Sequence, residues 1–314
     1  MKNLIFTLIL VTSIYAYDKF VESERVTTNV SVVSYDIKEN FYNVKLGSSA
    51  YDVINLFGNP QRIDQSEYDF EWYIYNNNYE KFFMIGIENN KVVSLFSNSI
   101  NSGELKEIYL GIKKEDISYE RKKYRLKENT KYLLDENGEY DIIEFNNNLI
   151  TVFYDIHDEY RVKSYQIVTE QTENKNKTIY PTRDLDIIDS YENIMLDLIN
   201  SERIKENLNT VTMSYDASKS AKNHSLDMMD NNFFDHINNE NESPFDRMDK
   251  EDIDYTYAGE NIAAGQTSAI FAHEALMNSL GHRKNILGDN YKYVGIGVEI
   301  GGFYNTYYTQ NYYQ

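Results

Sequence analysis

The amino-acid sequence predicts an α+β protein in two parts: a mostly antiparallel, β-rich first half, and a second half in which amphipathic helices pack on a small antiparallel sheet. Three observations carry this. Short runs rich in β-branched and aromatic residues recur between positions 71 and 168, separated by Asn- and Gly-containing turn signals. Apolar residues return at helical spacing from Ile187 to Met228. From Val294 onward apolar side chains alternate with small or polar ones up to Gly301-Gly302, after which the chain turns back.

The elements follow in order. Lys2 precedes an apolar stretch, Leu4 to Ala16, that ends in a small residue, the pattern of a secretory signal peptide over residues 1–16. Its 13 residues fall short of the roughly 20 that a spanning helix needs, which favours cleavage after Ala16. The bulk of Ile14 near that site keeps an uncleaved anchor as the alternative. Residues 17–40 are polar and aperiodic, a linker. Over 41–180 the runs Glu71–Tyr75, Phe82–Ile87, Lys91–Phe96, Tyr140–Glu144, Leu149–Tyr154 and Arg161–Val168 build hairpins around turns such as Asn89-Asn90 and Asn137-Gly138. Lys45-Leu46-Gly47 and Tyr109-Leu110-Gly111 lie 64 residues apart and precede similar strands, an internal duplication whose second copy lacks the Gly58-Asn59-Pro60 turn.

Pro181, within Thr178–Asp189, marks the boundary, and the second part spans 184–314. Ile187, Tyr191, Ile194, Leu198 and Ile199 define a helix running to about Glu206, and Ala217, Ala221, His224 and Met228 share one stripe of a helix over 216–231. Ser243-Pro244 opens a short helix, Ser as cap and Pro in the first turn. Thr267 or Ser268 opens another, to about Ser279. In the closing hairpin, simple pairing across Gly301-Gly302 sets Tyr307 opposite Ile296 and lets its hydroxyl reach toward a cleft.

Composition narrows the function. The chain has 314 residues, long enough for two domains with real cores. With 31 Lys+Arg against 50 Asp+Glu the net charge is -19, which repels phosphate backbones and anionic headgroups and argues against nucleic-acid binding and a basic membrane-surface role. The absence of Cys removes disulfides, thiolate zinc sites, iron–sulfur clusters and a cysteine nucleophile. A 41% hydrophobic content with 29 Tyr and 15 Phe excludes a disordered chain. An export signal without disulfides, on a chain rich in Asn, Lys, Ile and Tyr, points to a bacterial product, secreted or at the cell surface. With no later apolar span, no transmembrane anchor remains once the signal is removed.

Chemistry concentrates in the second half, which holds His224, His236, His273 and His282; the first has only His157 and no glycine-rich phosphate loop, as befits a binding or scaffold role. His273-Glu274 starts a zinc-protease helix motif, but Met277 stands where the second ligand belongs. No G-x-S-x-G elbow exists, and Ser279 near His282 in sequence does not make a triad. His224, on an apolar stripe, is expected to be a hydrogen-bonded core residue. His236 after Phe233-Phe234, Glu260 in Ala258-Gly259-Glu260-Asn261 and His282 in Gly281-His282-Arg283 sit in polar loops or at element ends, where sites are built. Two imidazoles and a carboxylate can hold zinc or another divalent metal with positions open for water, and equally can form a hydrogen-bonded network under a cleft.

Residues 194–313 resemble the CAP superfamily of cysteine-rich secretory, antigen 5 and pathogenesis-related proteins, in particular its bacterial secreted branch. The likeness rests on Leu198–Arg203, Ala221–Met228, Phe233–His236, Ser243–Arg247, Gly259–Ile262, Met277–Arg283 with Asn285–Leu287, Val294–Val298 and Tyr308–Gln310. Gly47, Asp52-Val53, Gly58-Asn59-Pro60 and Tyr68–Tyr75 carry a weaker likeness of 41–180 to the domain that precedes CAP modules in spore-forming bacteria. The resemblance implies an α-β-α sandwich with an open cleft lined by two His and two acidic residues. His236 and Glu260 match two of those positions; Ser279 and Tyr307 replace an acidic residue and a strand histidine, and His282, typical of the bacterial branch, is placed to fill the vacated space. The implied function is a secreted, non-enzymatic binding protein that needs no cofactor and takes a small apolar or peptide-like ligand or a cell-envelope partner in a cleft of His236, Glu260, Ser279, His282 and Tyr307. The alternative is a metal-assisted hydrolase, with zinc on His236 and His282 and Glu260 as general base. Convergence of His236, Glu260 and His282, independent folding of 184–314, and a gain of zinc affinity on Tyr307→His are the corresponding expectations.

Overall fold

The computed structural model describes residues 44–99, 108–134 and 138–314. The expected signal peptide and linker lie outside them. In the first half, paired asparagines make the hairpins: Asn89 and Asn90 (φ 48° and 61°) and Asn146 and Asn147 (48° and 59°) take the left-handed conformation that two-residue turns require. A capping box between Ser49 and Asp52 starts α1 (Ala50–Phe57). It is followed by β1 (Arg62–Gln65), β2 (Glu71–Tyr75), β3 (Phe83–Glu88), β4 (Lys91–Ser97), a separate hairpin β5 (Tyr124–Lys127) and β6 (Thr130–Leu133), β7 (Tyr140–Phe145), β8 (Asn148–Asp155), β9 (Arg161–Thr169) and α2 (Glu170–Lys175). Seven strands form one sheet in the order β1-β2-β3-β4-β9-β8-β7, with every pairing antiparallel.

The duplication is visible in this sheet. Gly47 and Gly111 have φ of 85° and 89°, and each donates its N–H at 2.8 Å to a valine carbonyl at the start of a central strand, Val92 in β4 and Val162 in β9. The meanders β2-β3-β4 and β7-β8-β9 thus meet at the sheet's middle, each clipped by its own glycine turn.

In the second half, Asp184 caps α3 (Leu185–Lys205), β10 (Thr212–Met213) leads into α4 (Tyr215–Asn231), and then come α5 (Pro244–Asp249), β11 (Ala258–Ala264), α6 (Ala269–Asn278), α7 (Leu280–Ile286), β12 (Tyr293–Ile300) and β13 (Thr306–Tyr313). The sheet order is β10-β12-β13-β11. β10 joins β12 in parallel, so the small sheet is mixed rather than wholly antiparallel. A Cβ at Gly295 or Gly297 would lie 2.0–2.1 Å from the α4 backbone, so these glycines let the helix sit directly on β12.

The closing hairpin differs from simple pairing. Gly301-Gly302 only begins a turn of residues 301–305, Ile300 pairs with Thr306, and Tyr307 therefore faces Glu299 rather than Ile296. Five residues close the turn because the Gly301 N–H bonds to the Asn305 carbonyl at 2.7 Å and Asn305 takes φ 66°.

One apolar core runs through both halves: Trp72, Phe82, Met84, Phe96 and Phe153 share a buried cluster with Ile188, Tyr191, Leu198, Leu276 and Ile296. Polar contacts line the same seam. Asp197 of α3 accepts from Arg62, Asn76 and Tyr79 at 2.6–2.9 Å, and Lys163 of β9 pairs with Glu274 of α6 at 2.8 Å. Asp155 pairs with Arg283 at 2.8 Å, and His157 bonds to the Asn278 carbonyl at 2.9 Å, so the first half also holds the α6–α7 junction.

Candidate functional site

β11 is an edge strand, with α5 and α7 packed beside it. Strand alternation sends Glu260 and Asn261 to opposite faces, and both are buried. Glu260 spends both carboxylate oxygens. Oε1 accepts from His236 Nδ1 at 2.8 Å, and Oε2 accepts from Arg247 Nη2 at 2.7 Å. An ionised carboxylate can only accept, so Nδ1 of His236 carries a proton, and in the neutral ring Nε2 is then the nitrogen left with a lone pair. Among the described residues nothing hydrogen-bonds Nε2, and the ring is about a quarter exposed. Arg247 also donates through Nη1 to the His236 and Glu242 carbonyls, both at 2.9 Å. It reaches them because Ser243 and Asp246 form a capping box that starts α5 four residues earlier. Arg247 thus staples the His236 loop to β11.

Burial pushes the Glu260 carboxyl up. The hydrogen bond from His236, then the electrostatic contributions of His224 and Arg247, outweigh it and hold the group below the usual carboxylate range. His224 borders the pair, with Nε2 4.0 Å from Glu260 Oε1. It is fully buried, donates from Nε2 to the Asp235 carbonyl at 3.0 Å, and has its pKa lowered chiefly by burial. The expected hydrogen-bonded core histidine is therefore found, and it also forms part of the floor of the site.

His282 comes to the same place from α7. Burial above all pushes its pKa down to about 4, so the ring is neutral at physiological pH. Asn261 sets the helix: its Nδ2 donates to the His282 carbonyl at 3.1 Å and to Gln310 Oε1 at 3.0 Å, while its Oδ1 accepts from Asn285 at 2.8 Å. His236 and Glu260 are thus in direct contact at the β11 edge, and Asn261 ties the backbone of His282 to the same strand, near enough for its ring to interact electrostatically with His236. Ser279 lies at the α6–α7 junction, half-buried, without a side-chain cap bond there. Tyr307 is buried beside Met228 and Ile262, and its hydroxyl accepts from the Tyr304 N–H at 3.2 Å. That hydroxyl braces the 301–305 turn instead of reaching for the cleft, a consequence of the longer turn. Arg247 and Asn261 belong to the segments that carry the family likeness, yet nothing in their sequence setting marks them as site residues. Their burial arises only when β11 folds beside α5 and α7.

The donor set does not fit a zinc site. Among the described residues no three His, Asp or Glu side chains are grouped to hold one ion. The physical reason is Arg247, whose permanent charge occupies one Glu260 oxygen at 2.7 Å while a histidine N–H occupies the other. The same commitment removes Glu260 as a general base.

A helix-flanked mixed sheet beside a seven-stranded platform defines a class, and the chain belongs to it: it is a member of the cysteine-rich secretory protein family, which matches residues 196–312, preceded by a CAP-associated N-terminal domain over 46–179. It is 30% identical over 287 residues to the uncharacterized membrane protein YlbC of Bacillus subtilis, covering 85% of this chain and 82% of that one. To the uncharacterized protein YkwD of the same organism it is 44% identical over 118 residues, 37% of this chain and 46% of the relative. In fold it resembles an extracellular SCP-domain protein of Bacillus anthracis, with a TM-score of 0.74 and 24% identity over 92% of this chain and 100% of that one. A cysteine-rich secretory protein of Staphylococcus aureus gives a TM-score of 0.69 and 15% identity over 85% and 91%.

Proposed function

We propose that this protein works outside the cytoplasm as a non-enzymatic binding protein whose β11-edge cleft takes a small apolar or peptide-like ligand or a cell-envelope partner, with no metal required. The observation that carries this is the full commitment of Glu260 to Arg247 and His236. A buried carboxylate so paired is an anchor, and what it presents to a ligand is the free Nε2 of His236 beside the neutral His282. Exposed Ile237 and Leu280, adjacent in the chain to His236 and within two residues of His282, add apolar rim to that opening. The secretory pattern of residues 1–16 supports export. No helix among the described residues is long and apolar enough to cross a membrane. The B. anthracis neighbour is described as extracellular and YlbC as a membrane protein, which supports a location at or beyond the cell surface.

One feature of the geometry favours a second reading. A histidine oriented by a carboxylate through Nδ1, with Nε2 bare, is the arrangement of a general base, so a hydrolase would use His236 on a water, positioned by Glu260. The test is NMR of the His236 and His282 side chains during titration with a short peptide mixture and with dodecanoate, with product analysis. Shifts at both rings without cleavage support the binding protein; peptide cleavage that disappears in His236→Ala overturns it in favour of the hydrolase.

A further inference from the structure

The β5–β6 hairpin is inside out. Its register sets Tyr124 opposite Leu133 and Leu126 opposite Lys131 on one face, and Arg125 opposite Tyr132 and Lys127 opposite Thr130 on the other. The face toward the protein holds the cations: Arg125 and Lys127 are 8% and 2% exposed and both pair with Glu173 of α2, at 2.7 and 2.8 Å. The face toward solvent holds the aliphatics, with Tyr124, Leu126 and Leu133 at 40%, 55% and 75% exposure. Burying a guanidinium and an ammonium while leaving two leucines wet is the reverse of what water selects, unless the outer face meets something other than water.

Charge says what that is. The chain carries -19, yet residues 121–134 hold six Lys/Arg against a single Glu. Arg121, Lys122, Arg125 and Lys127 pair with Asp141, Glu144 and Glu173, which leaves the exposed Lys123 and Lys131, with Lys131 Nζ 4.8 Å over the Tyr124 ring on the apolar face. Leucines flanked by lysines and an amphipathic tyrosine match the apolar-to-polar gradient of a bilayer interface with negative headgroups. We propose that the outer face of the β5–β6 hairpin docks this protein onto an anionic lipid surface, Leu126 and Leu133 entering the interface, Lys131 meeting the headgroups from the same face and the exposed Lys123 from the end of the hairpin. The repulsion expected from the net charge is thereby overcome locally, because exposed charges are screened beyond about a Debye length, roughly 8–10 Å.

The chain has no cysteine, so Leu133→Cys in the full chain accepts a single environment-sensitive fluorophore at the hairpin. The reading is local, which matters because the apolar stretch 4–16 can carry the chain onto any vesicle. With phosphatidylglycerol–phosphatidylcholine vesicles the label should shift to the blue. Pure phosphatidylcholine should give little shift, and Lys123→Glu with Lys131→Glu should weaken the anionic response by about tenfold or more at unchanged melting temperature. If that pair fails to fold, Lys123→Gln with Lys131→Gln gives the same comparison. A label that stays unshifted on anionic vesicles with which the chain pellets overturns the proposal. So does a shift indifferent to the lysines, or one that appears without lipid and grows with protein concentration, which would make a second copy the occupant.

Discussion

Replacing Arg247 with Met strips the Glu260 carboxylate of its cation while keeping the stem that fills the space. The two side chains are 7% and 2% exposed, and Arg247 donates to Glu260 and to two loop carbonyls. Removing one partner of so buried a pair costs about 3–5 kcal/mol. For a unit of this size, where 1 kcal/mol moves the melting temperature by roughly 2 °C, that is a fall of roughly 6–10 °C. Combining Arg247→Met with Glu260→Leu removes both charges and should recover more than half of the loss, because the single change leaves an uncompensated carboxylate and the double does not. The pH dependence has a definite sign. The native Glu260 pKa lies below its ordinary 4.5, so the pair's contribution is present above about pH 4.5 and is lost as pH falls through the lowered native value. In Arg247→Met that acid loss from Glu260 disappears. Thermal melts by circular dichroism from pH 8 down to about pH 2.5 measure all of this. A fall below about 2 °C for Arg247→Met, or strict additivity in the double variant, refutes the reasoning that a charged pair holds the floor of the site.

His273 is fully buried with both ring nitrogens unpartnered, and burial above all pushes its pKa down to about 4. Stability should therefore be intact above pH 6.5 and drop by up to roughly 3 kcal/mol toward pH 4, as the unfolded chain takes up the proton first; urea midpoints should show His273→Leu flattening that slope. Tyr307→His is expected to leave zinc affinity unchanged in calorimetry, contrary to the sequence-based expectation, because position 307 serves the 301–305 turn; Tyr307→Phe should cost about 1 kcal/mol through the lost acceptor for Tyr304. Residues 184–314 expressed alone should melt lower than the full chain and bind a hydrophobic dye, since Trp72, Phe82 and Phe153 no longer cover Ile188, Tyr191 and Leu198; a fragment as stable as the whole would show that the shared core contributes little.

The long helices were legible because one face of each is apolar at helical spacing: Ile194, Leu198 and Ile199 in α3, and Ala217, Ala221 and Met228 in α4, are all buried. Six strands of the seven-stranded sheet were legible from β-branched runs and paired asparagines, whereas the four-residue edge strand β1 (Arg62–Gln65), with one apolar residue, was not. The β5–β6 hairpin was not, since its alternation puts charges inward and so carries the opposite pattern from the one that marks a half-buried strand. The Gly301-Gly302 turn was misjudged because two glycines satisfy a two-residue turn equally well, and only the Gly301–Asn305 bond shows the longer one. At the site, His236, Glu260 and His282 could be named from the sequence, but not their division of labour. That depends on Arg247, which sits in a short polar helix with no periodic signature and is buried only by β11, whose Glu260 lies 13 residues further along.

The central claim is that Glu260 is a charged anchor that fixes His236 through Nδ1 and leaves Nε2 for a ligand. Long-range proton–nitrogen correlation of the imidazole rings tests it most directly, recorded at pH 8 on the wild type and Glu260→Gln, with and without one equivalent of zinc. The account predicts a protonated Nδ1 and a bare Nε2 on His236, a tautomer preference that weakens in Glu260→Gln, and no joint zinc response of His236 and His282. A proton on Nε2 in the wild type, or zinc-induced shifts of both rings that vanish in Glu260→Gln, would contradict it.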